Sequence, residues 1–336
     1  MMIKISTTNM SKDEWLAHRH TGIGGSEVSS VLGLNPYKAS AELFWDKVLD
    51  LRQSEETEAM HWGKALEELI ADRWQYWGGD PKSMIENYNA GTPVRRCQRV
   101  NSILINQEYP HLFANIDRKI LSNPSGVLEI KTVSGFAANQ WEDGIPPAYL
   151  IQLQTYLLIT EYTYGEIAIL KDGRYMSVIP FEAVQEIQEK IISKTKTFWE
   201  NVQRAREIVS DFADTAEINS FEEFQNASHR LTEWITLAEL EPAPDDSKAY
   251  EEYLKKRYRI EPKVIEGTDI MLFHVKAYIT HSNLVKQHEE RKRECSNRIK
   301  AFMKDSDTID FGVNGIVTHK EDSRGARRLN IKLKGE

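Results

Sequence analysis

The strand-like segment at residues 126–132 (GVLEIKT) constrains the fold most strongly. It is a short apolar run, rich in β-branched residues, that directly follows a group of turn residues. Side chains alternate between the two faces of a strand, so Glu129 and Lys131 point to one face while Leu128 and Ile130 point to the other. A carboxylate beside an ammonium suits metal-assisted phosphodiester cleavage. The same pair is more often a solvated ion pair, so this interpretation depends on further ligands elsewhere in the chain.

The residues before this segment predict a hairpin that brings a second carboxylate to the same place. Residues 111–121 are strand-like, and a turn sequence (SNPSG) joins them to the segment. Asp117 and Glu129 are equally far from Asn123, so a symmetric turn places them opposite each other. The residues therefore predict paired carboxylates on neighbouring strands.

A third carboxylate lies on the most periodic helix of the front half. Its apolar residues fall at helical spacing: Trp62, Leu66, Leu69, Ile70, Trp74 and Trp77. Glu67 lies at the border of this stripe and needs a cation there, which is either Lys64 one turn back or a metal. Three carboxylates would favour Mg²⁺ or Mn²⁺ over zinc.

Two other segments carry candidate polar groups. On a predicted helix at residues 148–160, Gln152 and Tyr156 are one turn apart and can hydrogen-bond a phosphate or a water, although a polar helix edge is the ordinary explanation. Residues 21–27 (TGIGGSE) predict a tight loop that presents backbone N–H groups to an anion, with Ser26 as the N-cap of the next helix. The alternative is an ordinary loop with a serine cap.

Composition limits the class of protein. The chain has 336 residues with 40% hydrophobic side chains, which is ample for a core, and no apolar run of 18 residues that would span a membrane. The N-terminus lacks an apolar signal core and only Cys97 and Cys295 occur, so we expect a cytoplasmic protein in a reduced compartment. The net charge of −8 is unusual for a DNA-binding protein, but a local basic channel is sufficient. Basic clusters do occur: Arg95, Arg96 and Arg99; Arg118 and Lys119; Arg324, Arg327 and Arg328.

The last third of the chain differs in composition and is mainly helical. We predict a first domain at residues 1–209 and a C-terminal extension at residues 210–336, which ends in a small basic hairpin. Helical patterns occur at residues 184–208, 221–240, 247–258 and 268–303.

The order of these motifs resembles a known nuclease group. The block at residues 19–27 (RHTGIGGSE), the tetrapeptide at 34–37 (LNPY) and the Glu-x-Lys strand together resemble the YqaJ-type viral recombinases, which are lambda-exonuclease-like members of the PD-(D/E)XK superfamily, over roughly residues 12–205. The resemblance implies an α/β (α+β) fold: a restriction-endonuclease-like core with a central mixed β-sheet flanked by helices, plus the helical extension with its terminal β-hairpin.

The resemblance also implies roles for individual residues. The metal ligands would be Glu67, Asp117, Glu129 and the backbone carbonyl of Ile130, holding two Mg²⁺ ions for which Mn²⁺ substitutes. Lys131 matches the catalytic lysine, and Gln152 and Tyr156 match the helix motif behind it. The 5′-phosphate of a DNA end would be held by Arg19, Ser26, Gly24, Gly25 and Asn115. Asn115 and Ala137 replace a Ser and an Arg of the lambda-type enzymes in our alignment, which leaves Lys38 or Asn115 itself to complete this pocket.

The activity that the resemblance implies is a Mg²⁺-dependent 5′-to-3′ exonuclease on linear double-stranded DNA. It would generate 3′ single-stranded overhangs for a phage single-strand annealing protein, and the processive members form a trimeric ring around DNA. Two alternatives remain open: a structure-specific or nicking endonuclease with the same fold, and a non-catalytic DNA- or protein-binding module.

Overall fold

The computed structural model describes residues 1–49, 57–135, 139–141, 144–210, 239–258, 264–321 and 327–334. The chain divides into two compact units, Met1–Ile260 and Glu261–Glu336. No helix in the described ranges is long and apolar enough to cross a membrane.

Two sheets form the framework of the first unit. Its strands are β1 (Met2–Ser6), β2 (Ile23–Gly24), β3 (Cys97–Arg99), β4 (Ser102–Asn106), β5 (Leu112–Ala114), β6 (Arg118–Ile120), β7 (Gly126–Val133), β8 (Tyr164–Lys171) and β9 (Tyr175–Glu182). One sheet has the order β1-β4-β5-β2 and the other β3-β6-β7-β8-β9. In the five-stranded sheet β7 and β8 are parallel and the other pairs antiparallel, so the predicted mixed sheet is confirmed.

Helices flank this framework. They are α1 (Lys12–His20), α2 (Val28–Val31), α3 (Ser40–Val48), α4 (Glu58–Gln75), α5 (Pro81–Asn89), α6 (Pro147–Thr160), α7 (Gln185–Ser210) and α8 (Lys248–Arg257). A parallel strand pair needs a long crossover, and α6 forms it between β7 and β8.

The side chains of β7 alternate between two apolar cores. Leu128 and Ile130 pack with Trp74 of α4, while Val127 packs with Leu153 of α6 in the larger core. The two cores therefore lie on opposite faces of the sheet. Glu129 and Lys131 share the face of Val127, so they point to the α6 side, as the strand pattern predicted.

The structure differs from the expected strand pattern in two respects. The sequence pattern at residues 94–105 predicts one strand-like segment, but the structure divides it between the sheets, because β3 pairs with β6 whereas β4 pairs with β1 and β5. The N-terminal strand β1 was not predicted.

The expected apolar stripe of α4 was also partly wrong. Trp62 and Leu69 are 56% and 47% exposed, since the side chains that α4 buries are those of Ile70, Ala71 and Trp74.

The first unit extends beyond the predicted boundary at residue 209. Leu240 and, on α8, Ala249, Tyr250 and Tyr253 are buried in the larger core. Arg257 bonds to Glu241 at 2.5 Å and lies over the Trp45 ring at 5.1 Å. The residues from 239 to 258 thus belong to the same packed body as the sheets. The predicted helix at 221–240 lies almost wholly outside the described residues.

The second unit contains a long helix and a small sheet. The helix α9 (Asp269–Met303) precedes β10 (Thr308–Asp310), β11 (Gly315–Glu321) and β12 (Arg327–Leu333), which form an antiparallel sheet. The predicted terminal hairpin is β11–β12, with β10 as an additional strand, and its turn lies outside the described residues.

We predict that truncated chains will show whether the first unit ends at residue 209, as the sequence predicted, or at residue 260. A chain ending after residue 209 lacks the buried side chains of Leu240, Tyr250 and Tyr253, each worth about 1.5–3 kcal/mol. It should therefore be several kcal/mol less stable than a chain ending after residue 260, as measured by thermal melts in circular dichroism. Equal melting temperatures for the two truncations would show that the segment adds nothing to the core.

Candidate functional site

A buried carboxylate on β7 is the centre of the candidate site. Glu129 is 2% exposed, and its Oε1 accepts hydrogen bonds from Lys131 Nζ at 2.7 Å and from Gln152 Nε2 at 2.8 Å. The Gln152 amide also donates to the Tyr156 hydroxyl at 2.8 Å. These contacts bring four of the predicted residues together and fix the orientation of Glu129.

The other oxygen of Glu129 lacks such a partner. Within the described residues, Glu129 Oε2 is buried and makes no hydrogen bond. A buried polar atom without a partner is costly, and a carboxylate oxygen more so. This oxygen is therefore suited to a bound cation.

Asp117 lies beside Glu129, as the hairpin symmetry predicted. It precedes β6, whose Arg118 pairs with Leu128, and its Oδ2 accepts the backbone N–H of Ile130 at 2.8 Å. Burial and the negative charge of Glu129 raise the pKa of Asp117 well above its usual range. Two carboxylates in so little space need a positive charge between them, which fits a hard divalent cation.

The neighbouring lysine and tyrosine remain protonated near neutral pH. Burial acts to lower the pKa of Lys131, but the carboxylates of Glu129 and Asp117 outweigh it and raise the pKa. Burial, and then the charges of Glu129 and Asp117, raise the pKa of Tyr156 well above its usual range. Lys131 is thus a fixed ammonium, suited to stabilising negative charge rather than to accepting a proton.

Glu67 has a partner that the sequence did not suggest. The expected cation was Lys64 or a metal, but the buried guanidinium of Arg118 binds Glu67 and, at 2.7 Å, Glu68. Arg118 also donates to the backbone carbonyl of Asp117 at 2.8 Å. Within the described residues no group of three His, Cys, Asp or Glu side chains is close enough to hold a metal ion. The structure therefore gathers Asp117 and Glu129, with Glu67 held by Arg118.

In the glycine-rich loop, the N–H groups of Gly24 and Gly25 are already hydrogen-bonded within the protein. The N–H of Gly24 donates to Glu27 Oε2 at 2.8 Å, and that of Gly25 donates to the Phe113 carbonyl at 3.0 Å. The reason for glycine is space, because a Cβ on Gly25 would overlap the Tyr156 ring. The expected cap is also wrong, since the N-cap of α2 is Glu27 without a side-chain cap bond.

Glu27 forms a buried ion cluster that sequence reasoning missed. Its carboxylate binds Arg19 at 2.9 Å and Lys47 at 2.8 Å, and Lys47 also donates to the Arg19 carbonyl at 2.6 Å. Although burial acts to raise it, the charges of Arg19 and Lys47 lower the pKa of Glu27 to about 2. Arg19, the predicted phosphate ligand, is therefore already paired. Lys47 and Glu27 lie 20 residues apart, so no local pattern reveals the pair.

A cleft of about 650 Å³ opens over the site and is lined by Ser26, Lys131 and Gln152, among others. Asn115 follows β5 and does not line this cleft. Lys38 is paired with Asp46, and Ala137 lies outside the described residues. Of the predicted phosphate ligands, Ser26 is thus the one whose side chain lines the cleft beside Lys131.

Comparison with known proteins adds independent information. A model of the YqaJ-like viral recombinase domain matches residues 14–163. The chain is 32% identical over 306 residues to the uncharacterized protein YqaJ of Bacillus subtilis, which covers 89% of this chain and 81% of that protein. Protein D345L of African swine fever virus is 38% identical over 60 residues, 18% of this chain and 17% of that protein. Among solved structures, the alkaline exonuclease LHK-Exo from Laribacter hongkongensis has 18% identity and a TM-score of 0.48, covering 60% of this chain and 97% of that one.

We predict a pH-dependent loss of stability in Glu27→Gln. The folded-state pKa of about 2 lies below the ordinary 4.5, so ionised Glu27 stabilises the fold above pH 4.5 and this contribution is lost as the pH falls toward 2. At pH 7 the variant should be less stable by about 3 kcal/mol. Denaturant titrations should show that the difference in unfolding free energy between the parent and the variant is smaller near pH 3 than at pH 7. The exposed Glu186→Gln serves as control and should change the stability little at either pH, because its ion pair with Lys190 is screened by solvent.

We predict that divalent cations stabilise the protein through Asp117 and Glu129. Mg²⁺ or Mn²⁺ at about 100 times its Kd should add about 2.7 kcal/mol. Asp117→Asn should lose this response and melt higher than the parent in EDTA, because it removes one of two crowded negative charges. Thermal melts with and without metal measure both effects, with the exposed Asp13→Asn as control. An undiminished metal response in Asp117→Asn would place the ion elsewhere.

Proposed function

Because the chain belongs to the YqaJ-like viral recombinase family, as its motifs predicted, we propose that it is a nuclease and, more narrowly, a Mg²⁺-dependent exonuclease. It degrades one strand of linear double-stranded DNA from the 5′ end and leaves a 3′ single-stranded overhang. The observation that carries this proposal is the buried Glu129 Oε2 beside Asp117 and Lys131. An unpartnered carboxylate oxygen next to a fixed ammonium suits metal-assisted cleavage of a phosphodiester.

Each residue of the cluster has a role in this proposal. Asp117, Glu129 and the carbonyl of Ile130 would hold the cation. Glu67 would become a further ligand by releasing Arg118 and binding the cation instead. When bound, Mg²⁺ supplies a Lewis acid for the scissile phosphate and its leaving oxygen. Lys131 donates to the negative charge that develops on the phosphate. Gln152 and Tyr156 keep Glu129 in the orientation that this requires.

The direction of digestion is proposed from the loop beside the cleft. Ser26 lines the same cleft as Lys131, so a terminal 5′-phosphate at Ser26 would place the first phosphodiester near the cluster. Arg19 would contribute by sharing its charge between Glu27 and the phosphate. Two metal ions, a trimeric ring and a phage annealing protein as partner follow from the family resemblance and belong to the same proposal. A cytoplasmic location, expected from the N-terminal sequence and the two cysteines, is part of it as well.

We predict that digestion of end-labelled linear duplex will be Mg²⁺-dependent and will remove the 5′-phosphorylated strand first. Lys131→Ala should reduce the rate at least about 100-fold, the usual cost of removing a group that stabilises transition-state charge. Strand-resolved gels measure both polarity and rate. Lys190→Ala, an exposed lysine of α7, is the matched control and should retain the parent rate.

Other substrates separate the rival activities. Nicking of a covalently closed circle would identify an endonuclease instead. Intact linear duplex with the parent protein, together with identical behaviour of Glu129→Ala, would contradict any nuclease role for this cluster.

A further inference from the structure

One wall of the cleft over the candidate site is formed by residues that are distant in sequence from the rest of the cleft. Besides Ser26 and Lys131, the cleft is lined by Tyr37 and Tyr149 and, at the start of α8, by Ser247 and Lys248. The match to the recombinase domain ends at residue 163, so this part of α8 lies outside it. The sequence motifs assign no role to α8.

The wall is anchored rigidly in the first unit. Tyr253 of α8 is fully buried, and Arg257 bonds to Glu241 in the interior. Lys256 pairs with Glu42 of α3 at 3.1 Å, and Asn201 of α7 donates to the Leu240 carbonyl at 3.2 Å. The start of α8 therefore holds a fixed position relative to the cleft.

Lys248 brings a positive charge to this wall that no ion pair holds among the described residues, although this charge helps to lower the pKa of Glu251 after the hydrogen bond and charge of Lys255. Two acidic residues three positions away have other partners: Asp245 accepts the Ser247 N–H at 2.9 Å, and Glu251 pairs with Lys255 at 2.8 Å. Within the described ranges, the Lys248 side chain is exposed and makes neither an ion pair nor a hydrogen bond.

The rest of the cleft suits a nucleotide chain. Tyr37 is 74% exposed, whereas the Tyr149 ring is contacted by Trp141, with ring centres 5.0 Å apart, and by Lys131 Nζ at 5.5 Å. Aromatic faces accept bases without sequence preference, while lysines contact the backbone phosphates. Two lysines across an aromatic cleft therefore match a single strand of DNA better than a small neutral ligand.

We propose that Lys248 binds a backbone phosphate of the DNA strand that occupies this cleft. The segment at residues 240–257 then forms one wall of the substrate site, in addition to its place in the core. This inference rests on the proposed function in that DNA is the ligand, but it requires only binding and no cleavage.

The test measures DNA binding by the full chain without metal. Fluorescence anisotropy with a labelled duplex carrying a 3′ overhang, in EDTA, gives Kd from about 50 to 200 mM salt. Each phosphate contact contributes about 0.7–0.9 to the slope of log K against log salt. Lys248→Gln should weaken binding at low salt, and the ratio of its Kd to that of the parent should fall about threefold over this range. Lys248→Glu should bind more weakly still and yet keep its melting temperature, because an acidic residue is favourable in the first turn of a helix.

Lys255→Glu is the matched control, since it makes the same charge change on α8 at a lysine that does not line the cleft. It should leave the salt slope unchanged. In Mg²⁺, Lys248→Gln should raise KM with little change in kcat, whereas Lys131→Ala lowers kcat.

The outcomes separate this inference from the proposed function. Parent-like salt slopes in both Lys248 variants, or an equal loss in Lys255→Glu, would overturn the role of Lys248 even if the protein digests DNA. Binding with the expected slopes but without digestion would support Lys248 and contradict the nuclease proposal. A parent protein that does not bind DNA would contradict both.

Discussion

The site depends on a carboxylate that is held on one side and left without a partner on the other. Glu129 is buried between Lys131 and Gln152, which orient one oxygen, while the second oxygen has no hydrogen-bond partner among the described residues. The sheet makes this possible because β7 is a central strand with apolar cores on both faces. A buried, fixed carboxylate cannot relax toward water, so its remaining oxygen stays available to a cation.

Charge balance explains why Arg118 holds Glu67. Arg118 lies opposite Leu128 and so points to the face covered by α4, where Glu67 and Glu68 both bind its guanidinium. Asp117 and Glu129 are associated with the other face. The third carboxylate is thus compensated by Arg118, although its charge still adds to the burial and the Glu129 charge that raise the pKa of Asp117.

Much of the site followed from short-range regularities in the sequence. The even spacing about Asn123 predicted the pairing of Asp117 with Glu129, and helical spacing predicted Gln152 next to Tyr156. The mixed sheet, the terminal hairpin and the family were confirmed as well. What sequence reasoning missed depends on contacts between distant segments. The Glu27–Lys47 pair, the Arg118–Glu67 pair and the anchoring of α8 join residues for which local periodicity carries no signal. The N–H of Gly25 is bonded to a carbonyl of β5, which is another contact between distant segments, whereas the N–H of Gly24 is bonded locally to Glu27.

The close approach of Gly25 to Tyr156 has a mechanical consequence. Gly25 leaves no room for a side chain beside the Tyr156 ring, the ring hydroxyl accepts from Gln152, and Gln152 donates to Glu129. Close-packed interiors transmit strain, so a displacement of the loop reaches the carboxylate through Tyr156 and Gln152. The relative position of the loop that would bind a strand terminus and of the carboxylate that would serve cleavage is therefore fixed by this packing.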